Sequence, residues 1–154
     1  MSYKITGSGC SIPSVVQGNE AFLNHSFLDD SGSKFDVSNE TIIDKFNSIT
    51  GIEQRKYIPP NLKTSDIAYH AAQKAIEDAQ LDPETLDYII VAHNFGDISS
   101  SSKQIDTLPS LASRVKTLLK IQNPSCVAYD ILFGCPGWVE AMIQAHAFIK
   151  AGMA

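Results

Sequence analysis

Cys135 is the residue of this sequence best placed for nucleophilic chemistry. The apolar run 126–132 lies before it and is typical of a buried strand. The segment 136–151 follows it and predicts a helix, which Gly152 ends. We expect Pro136 at the first helical position, which puts Cys135 at or beside the helix cap. The positive end of the helix dipole favours a thiolate there, so the pattern predicts a reactive thiol.

Gly134 and Gly137 flank this cysteine, and we expect them to permit a tight strand-to-helix turn. The structural alternative is an inert thiol, because free cysteines are among the most buried residues and many such junctions hold no catalyst. The position of Cys135 in the sequence therefore leaves open whether its thiol is reactive or inert.

Composition narrows the class of protein. The 154 residues are 44% hydrophobic and 19% charged, with a net charge of −5, which indicates a globular domain and disfavours a nucleic-acid partner. Three widely spaced cysteines without a CxxC pair favour reduced thiols and disfavour a zinc site. No apolar run is long enough for a membrane helix, and we expect no signal peptide and a cytoplasmic protein.

The remaining pattern predicts the elements that position the cysteine. Residues 3–9 alternate like a first strand, and residues 66–80 carry an alanine-rich apolar stripe that predicts a helix packed closely on a sheet. The apolar run 88–92 predicts a strand buried on both faces. A further helix opens at Leu108-Pro109-Ser110, so the chain contains a βαβ unit. Residues 98–107 are interpreted as a polar loop.

The last helix has an unusual distribution of apolar residues. They cover most of its circumference and leave only a narrow polar strip. We expect such a helix to be buried nearly all round, and a single sheet cannot cover both of its sides.

Two stretches carry a family resemblance. YDILFGCPGW at 129–138 resembles the nucleophile region of β-ketoacyl-acyl carrier protein synthase III, and TGIxxR at 50–55 resembles a second stretch of that family. The family belongs to the thiolase-fold condensing enzymes. The resemblance implies an α/β fold over 1–154, the N-terminal half of a thiolase-like fold. It implies a mostly parallel sheet with helices on both faces, a buried nucleophile helix and a C-terminal half absent from this chain.

The same resemblance implies an acyltransferase in which Cys135 forms an acyl thioester before decarboxylative condensation with malonyl-acyl carrier protein. It implies that the Cys135 backbone N–H helps form an oxyanion hole and that Leu108 reaches across a homodimer into the acyl site. We also expect Asn94 and Phe133 to bind substrate. No cofactor is implied beyond acyl-CoA or acyl carrier protein as substrates. The histidine and asparagine that assist decarboxylation in the family lie beyond the last residue.

The acyl donor is left open by two positions. Lys45 and Ile49 stand where the family has the tryptophan and arginine that hold coenzyme A. This difference leaves acyl-CoA and acyl carrier protein both as donors.

Two other functions remain open from the sequence. One is a non-catalytic thiolase-fold partner subunit, against which the retained Cys135 argues. The other is a stand-alone cysteine hydrolase with His93 as its base, although we interpret His93 as a loop histidine bonded to the backbone.

Overall fold

The computed structural model describes residues 3–99, 101 and 104–154. The chain forms two compact units, Pro13–Pro59 and the combination of Met1–Ile12 with Pro60–Ala154. The smaller unit contains β1 (Val15–Gly18), a 3₁₀ helix (Asn19–Phe22), α1 (Asn39–Thr50) and β2 (Gln54–Tyr57). The larger unit contains α2 (Thr64–Ala79), a 3₁₀ helix (Pro83–Thr85), β3 (Tyr88–His93), β4 (Asp97–Ile98), β5 (Ile105–Asp106), α3 (Leu111–Leu118), β6 (Val127–Leu132) and α4 (Gly137–Ala151).

The smaller unit is an antiparallel pair, β1 with β2, and one helix. Arg55 on β2 donates a hydrogen bond to the Asn19 side chain at 2.7 Å. Its guanidinium also lies over the rings of Phe22 and Phe46, at 5.3 and 5.6 Å from their centroids. Arg55, the last residue of the TGIxxR stretch, therefore holds the 3₁₀ helix and α1 against the strand through cation–π contacts and one hydrogen bond.

The larger unit is built on a parallel strand pair. β3 and β6 pair in register from Tyr88 opposite Val127 to His93 opposite Leu132. α3 lies between them in the chain, so the predicted βαβ unit is confirmed.

The two faces of this strand pair carry different helices. On one face Tyr129 bonds Gln144 of α4 at 2.7 Å and Tyr88 stacks on Phe148 of α4. Asp130, the next residue of β6, points to the other face and bonds the first amides of α3. Helices therefore cover both faces, as predicted, with α3 on one side and α4 on the other.

In addition to the parallel pair, the described residues form two antiparallel pairs: β1 with β2, and β4 with β5. The latter pair overlaps residues 98–107, which we predicted to be a loop. The prediction was wrong because Asp97 and Asp106 are polar residues held by side-chain pairing, which a local hydrophobic pattern does not indicate.

The segment 3–9 is not a strand. Gly7 and Gly9 lie directly on α2, where an added Cβ would be 2.4 Å from the Ala75 carbonyl oxygen and 2.3 Å from the Ala71 carbonyl oxygen, respectively. The alanines of α2 thus permit close approach of this extended segment, rather than of the sheet that we expected. Alternation predicted a strand, but glycine at these two positions serves backbone contact with a helix instead.

Helix α4 packs on the strand pair by one side only. Its opposite side exposes apolar residues; Trp138 is 67% and Ile143 56% accessible to solvent. The expected burial on all sides is therefore not reached within the residues that the structure describes, because they supply no second layer against this side.

Candidate active site

Cys135 lies in a four-residue connection between β6 and α4. The Phe133 amide donates to the His93 carbonyl at 3.1 Å, which continues the strand pairing up to this loop. The Gly137 amide donates to the Gly134 carbonyl at 2.9 Å and closes the turn. The cysteine side chain is exposed. Its predicted place, at the carboxyl end of a parallel strand and the start of a helix, is confirmed.

The helix begins one residue later than predicted. Pro136 is the N-cap of α4, with φ −78° and ψ 2°, and Gly137 is the first helical residue. Cys135 therefore stands just outside the cap. No side chain caps this helix, so its positive N-terminal end is open toward the cysteine loop.

The two flanking glycines have different roles. A Cβ at Gly137 would lie 3.1 Å from the Ala92 Cβ and 3.3 Å from the Phe133 Cβ, so glycine lets α4 start directly against β3. A Cβ at Gly134 would meet only Pro136, at 4.0 Å, and Gly134 has no positive φ. We expected both glycines to permit a tight turn, but neither has a positive φ, and Gly137 serves close packing instead.

Asp130 fixes the strand on which this loop is built. Its carboxylate accepts hydrogen bonds from the amides of Leu111 at 2.6 Å and Ala112 at 2.8 Å, and from His93 Nε2 at 2.9 Å. One carboxylate thus holds the N-terminus of α3, the end of β3 and the middle of β6. The signal in the sequence was a charged residue inside an apolar strand, because such a group must be paired when buried.

His93 is fully engaged in this arrangement. Its Nδ1 accepts the Gly96 amide at 2.9 Å, so Nε2 carries the proton and donates it to Asp130. Neither ring nitrogen is left to take a proton from Cys135. The backbone bond that we predicted is present, with a carboxylate bond in addition, and the geometry gives no support to a hydrolase using His93 as base.

The other two cysteines differ from each other. Cys126 is buried, and burial raises the pKa of its thiol above the ordinary value. Cys10 is exposed, like Cys135, and its carbonyl accepts a hydrogen bond from Lys74 of α2 at 2.9 Å. Exposure therefore separates Cys135 from Cys126 but not from Cys10.

The remaining predicted site residues lie at two places. Asn94 and Phe133 directly follow β3 and β6, so both lie at the carboxyl edge of the parallel pair, on which Cys135 also lies. Both side chains are exposed. Leu108 lies on a separate segment ahead of α3 and is 82% exposed.

We did not predict from the sequence an ion-pair cluster that lies near Leu108 in the chain. Asp97, 1% exposed, accepts hydrogen bonds from the Ser65 amide and hydroxyl and from Arg114. Burial raises the pKa of this carboxyl, but the bonds from Ser65 and Arg114 outweigh it and hold the pKa below the usual 3.8. Arg114 also pairs with Asp106 at 2.8 Å. The three charges come from separate segments, and no local pattern joins them.

The described part of the chain contains no cluster of three or more histidine, cysteine or acidic residues that could hold a metal ion. None of its helices has the length and apolarity needed to span a membrane.

Comparison with known proteins gives relatives over nearly the whole chain. A β-ketoacyl-[acyl-carrier-protein] synthase III of Neisseria gonorrhoeae is 36% identical over 151 residues, which are 98% of this chain and 40% of that relative. The synthase III of Erythrobacter litoralis is 32% identical over 150 residues, which are 97% of this chain and 40% of that protein. The chain thus spans about two fifths of the length of the curated relatives it matches. No family model matches it.

Solved structures of similar proteins superpose on nearly the whole chain. The crystal structure of 3-oxoacyl-[acyl-carrier-protein] synthase III from Aquifex aeolicus superposes with a TM-score of 0.74 at 29% identity, covering 99% of this chain and 42% of that one. The priming β-ketosynthase of the R1128 polyketide pathway gives a TM-score of 0.75 at 18% identity, covering 98% of this chain and 38% of that one. At this identity the match supports similarity of fold alone.

The parallel pair with helices on both faces and a cysteine loop at its carboxyl edge belongs to the thiolase-like α/β fold. Over nearly all of its residues, the chain is similar in sequence to proteins named β-ketoacyl-[acyl-carrier-protein] synthase III.

Proposed function

We propose that this chain is the N-terminal part of a β-ketoacyl-acyl carrier protein synthase III-like acyltransferase and that Cys135 is its nucleophile. The observation that carries the proposal is the location of Cys135: an exposed thiol directly outside the uncapped N-terminus of α4. The relationship of the surrounding sequence to synthase III enzymes supports the same role. The activity of the complete protein is part of this proposal.

The first reaction is acyl transfer to the thiol. The Cys135 sulfur, as thiolate, attacks the carbonyl carbon of an acyl thioester, and the carbonyl oxygen becomes an oxyanion. The negative charge develops beside the positive end of α4, and we assign the Cys135 amide as one hydrogen-bond donor to it. Collapse of this intermediate restores the carbonyl and releases the donor thiolate, which takes up a proton. The product is an acyl group on Cys135.

The second reaction is condensation. Malonyl-acyl carrier protein loses carbon dioxide, and the resulting carbanion attacks the Cys135 thioester carbonyl. A carbon–carbon bond forms, the sulfur leaves as thiolate, and a β-ketoacyl thioester is released. In our proposal, the groups that assist decarboxylation come from outside this chain, so the 154 residues alone accept an acyl group without completing the condensation.

The partners follow from this chemistry. We assign acyl-CoA or acyl carrier protein as the acyl donor, acyl carrier protein as the partner of the condensation, and no further cofactor. We place Asn94 and Phe133 at the substrate, on the edge that carries Cys135, and Leu108 in the acyl site of the second subunit of a homodimer. A C-terminal half completes each subunit, and the setting is cytoplasmic fatty acid biosynthesis.

Acylation of the protein tests the proposal directly. The chain is incubated with acetyl-CoA, octanoyl-CoA or the corresponding acyl carrier protein, and the intact mass and the modified residue are determined. We expect one acyl group on Cys135 and none in Cys135→Ser. Cys10→Ser is the matched control, because Cys10 is also solvent-exposed but lies outside the parallel-strand edge, and this variant should be acylated like the parent chain.

The outcome also separates the alternatives. If Cys10 were acylated as fast as Cys135, exposure of a thiol would be enough to explain the reaction, and the proposal would be contradicted. Fast loss of the acyl group to water would indicate a hydrolase, and no acylation from any donor would favour a non-catalytic subunit.

A further inference from the structure

Leu108 is an exposed apolar side chain on a firmly bonded backbone. It lies between β5 and α3, with 82% of its surface accessible to solvent. The pKa of the nearby Asp106 carboxyl is lowered, chiefly by its bond to Arg114 and to a smaller extent by the Leu108 backbone. The Leu108 side chain is therefore exposed, while charged groups are bonded close to it in the chain.

Arg114 bonds one residue on each side of Leu108, the Asp106 side chain before it and the Pro109 backbone after it. Its Nη2 pairs with Asp106 Oδ1 at 2.8 Å, on the N-terminal side. Its Nε donates to the Pro109 carbonyl at 2.9 Å, on the C-terminal side. The rigid planar guanidinium can bond several partners at once, which a lysine ammonium at the same place cannot do in the same geometry.

The guanidinium is itself held from the interior. Its Nη1 pairs at 2.7 Å with Asp97, whose other bonds come from Ser65 in the first turn of α2. Asp97 is almost fully buried, and only 16% of the Arg114 side chain is exposed. The segment around Leu108 is thus connected, through one arginine, to the start of α2 rather than left as a free surface loop.

We propose that Arg114 is a positioning residue that fixes the Leu108 side chain as a wall of the acyl site and thereby sets the preferred acyl length. The inference rests on the proposed function, in which Leu108 lines that site. A wall of the acyl site can distinguish acyl chains that differ by a few methylene groups only if its position is fixed. The reason is that each methylene group changes the contact between the acyl chain and the wall by a small amount. The bonds of Arg114 to Asp106 and Pro109, on either side of Leu108, would hold Leu108 in this position.

The test compares Arg114→Gln, Arg114→Lys, Leu108→Ala and Arg114→Gln combined with Leu108→Ala in the full-length protein. The rate of Cys135 acylation is measured with acetyl-CoA and octanoyl-CoA, and the ratio of the two rates is the readout. We expect both arginine variants to change the ratio about fivefold, and Arg114→Gln to change it less than about twofold once Leu108 is alanine. Lys116→Gln is the control, because Lys116 is a cation of the same helix that bonds carbonyls away from Leu108; it should leave the ratio unchanged.

Hydrogen exchange of the backbone provides a readout that does not depend on activity. Exchange of the peptide 105–110 should rise in both arginine variants and stay at the parent level in Lys116→Gln. Equal slowing of both acyl donors in Arg114→Gln, the same change of ratio with and without Leu108, or unchanged exchange would each overturn the positioning role. A parent protein that accepts no acyl group from either donor would instead refute the proposed function, and the exchange data would still show whether Arg114 holds the segment.

Discussion

Replacing Asp130 by asparagine should destabilise the larger unit strongly. The carboxylate accepts three hydrogen bonds, two at Oδ2 and one at Oδ1, and its side chain is only 11% exposed. An asparagine keeps one acceptor oxygen and puts an NH₂ group where the other was, against a backbone or ring N–H. His93 cannot adapt by moving its proton, because its Nδ1 already accepts the Gly96 amide.

The magnitude follows from these contacts. Losing one charge-assisted hydrogen bond costs about 1.5–3 kcal/mol. Losing the negative charge at the N-terminus of α3 costs about a further 0.3–1 kcal/mol. We therefore expect Asp130→Asn to lower the free energy of unfolding by roughly 2–4 kcal/mol. This is a large share of the roughly 5–15 kcal/mol by which a folded domain is stable.

Urea unfolding followed by circular dichroism measures this change, provided that the slope m is the same in both proteins. Asp87→Asn is the matched control, because Asp87 is exposed and the chemical change is identical. The control should stay within about 0.5 kcal/mol of the parent. If Asp130→Asn lies within the same range, the carboxylate does not hold β3, β6 and α3 together and the structural reasoning is refuted.

Three further predictions concern packing, pH and the surface. Gly137→Ala should cost roughly 1–3 kcal/mol by urea unfolding because its Cβ would crowd β3, whereas Gly134→Ala should be close to neutral; equal effects would contradict the assigned roles. The lowered pKa of Asp97 contributes stability that is present above the unfolded-state value near 3.8 and is lost as the pH falls through the folded-state value below it. Unfolding free energies measured from pH 6 to pH 2 should therefore fall less steeply in Asp97→Asn, and a parallel curve would count against that contribution. Trp138→Ser with Ile143→Ser should reduce binding of a dye specific for apolar surface and reduce light scattering by the 154-residue chain; unchanged signals would mean that the outer side of α4 is covered.

Strongly patterned segments could be predicted from the sequence. The apolar runs at 88–92 and 126–132 are strands, paired in parallel as predicted, because strands covered by helices on both faces have continuous apolar sequence. The helical period of α2 and the start of α4 near Cys135 were equally local signals. The place of Cys135 was thus predictable, while its role as nucleophile stays a prediction.

Features that depend on distant partners could not be predicted. The pairing of Asp97 is one example, because nothing near it in sequence shows that Ser65 and Arg114 bond to it. Gly7 and Gly9 looked like strand and turn residues, since alternation does not reveal whether a neighbouring backbone is a strand or a helix. In each case, a pairing partner more than 15 residues away decides the local structure.

The parallel pairing of β3 with β6 also constrains the order of folding. Tyr88 pairs with Val127, so the strands meet only after the intervening hairpin and helix have been enclosed in a loop. Closing such a loop costs conformational entropy before any strand contact repays it, which makes sequence-distant pairing slow. Asp130 reaches α3 and His93 only once that closure is complete. We therefore expect its three hydrogen bonds to form late in folding, so that Asp130→Asn speeds unfolding more than it slows folding.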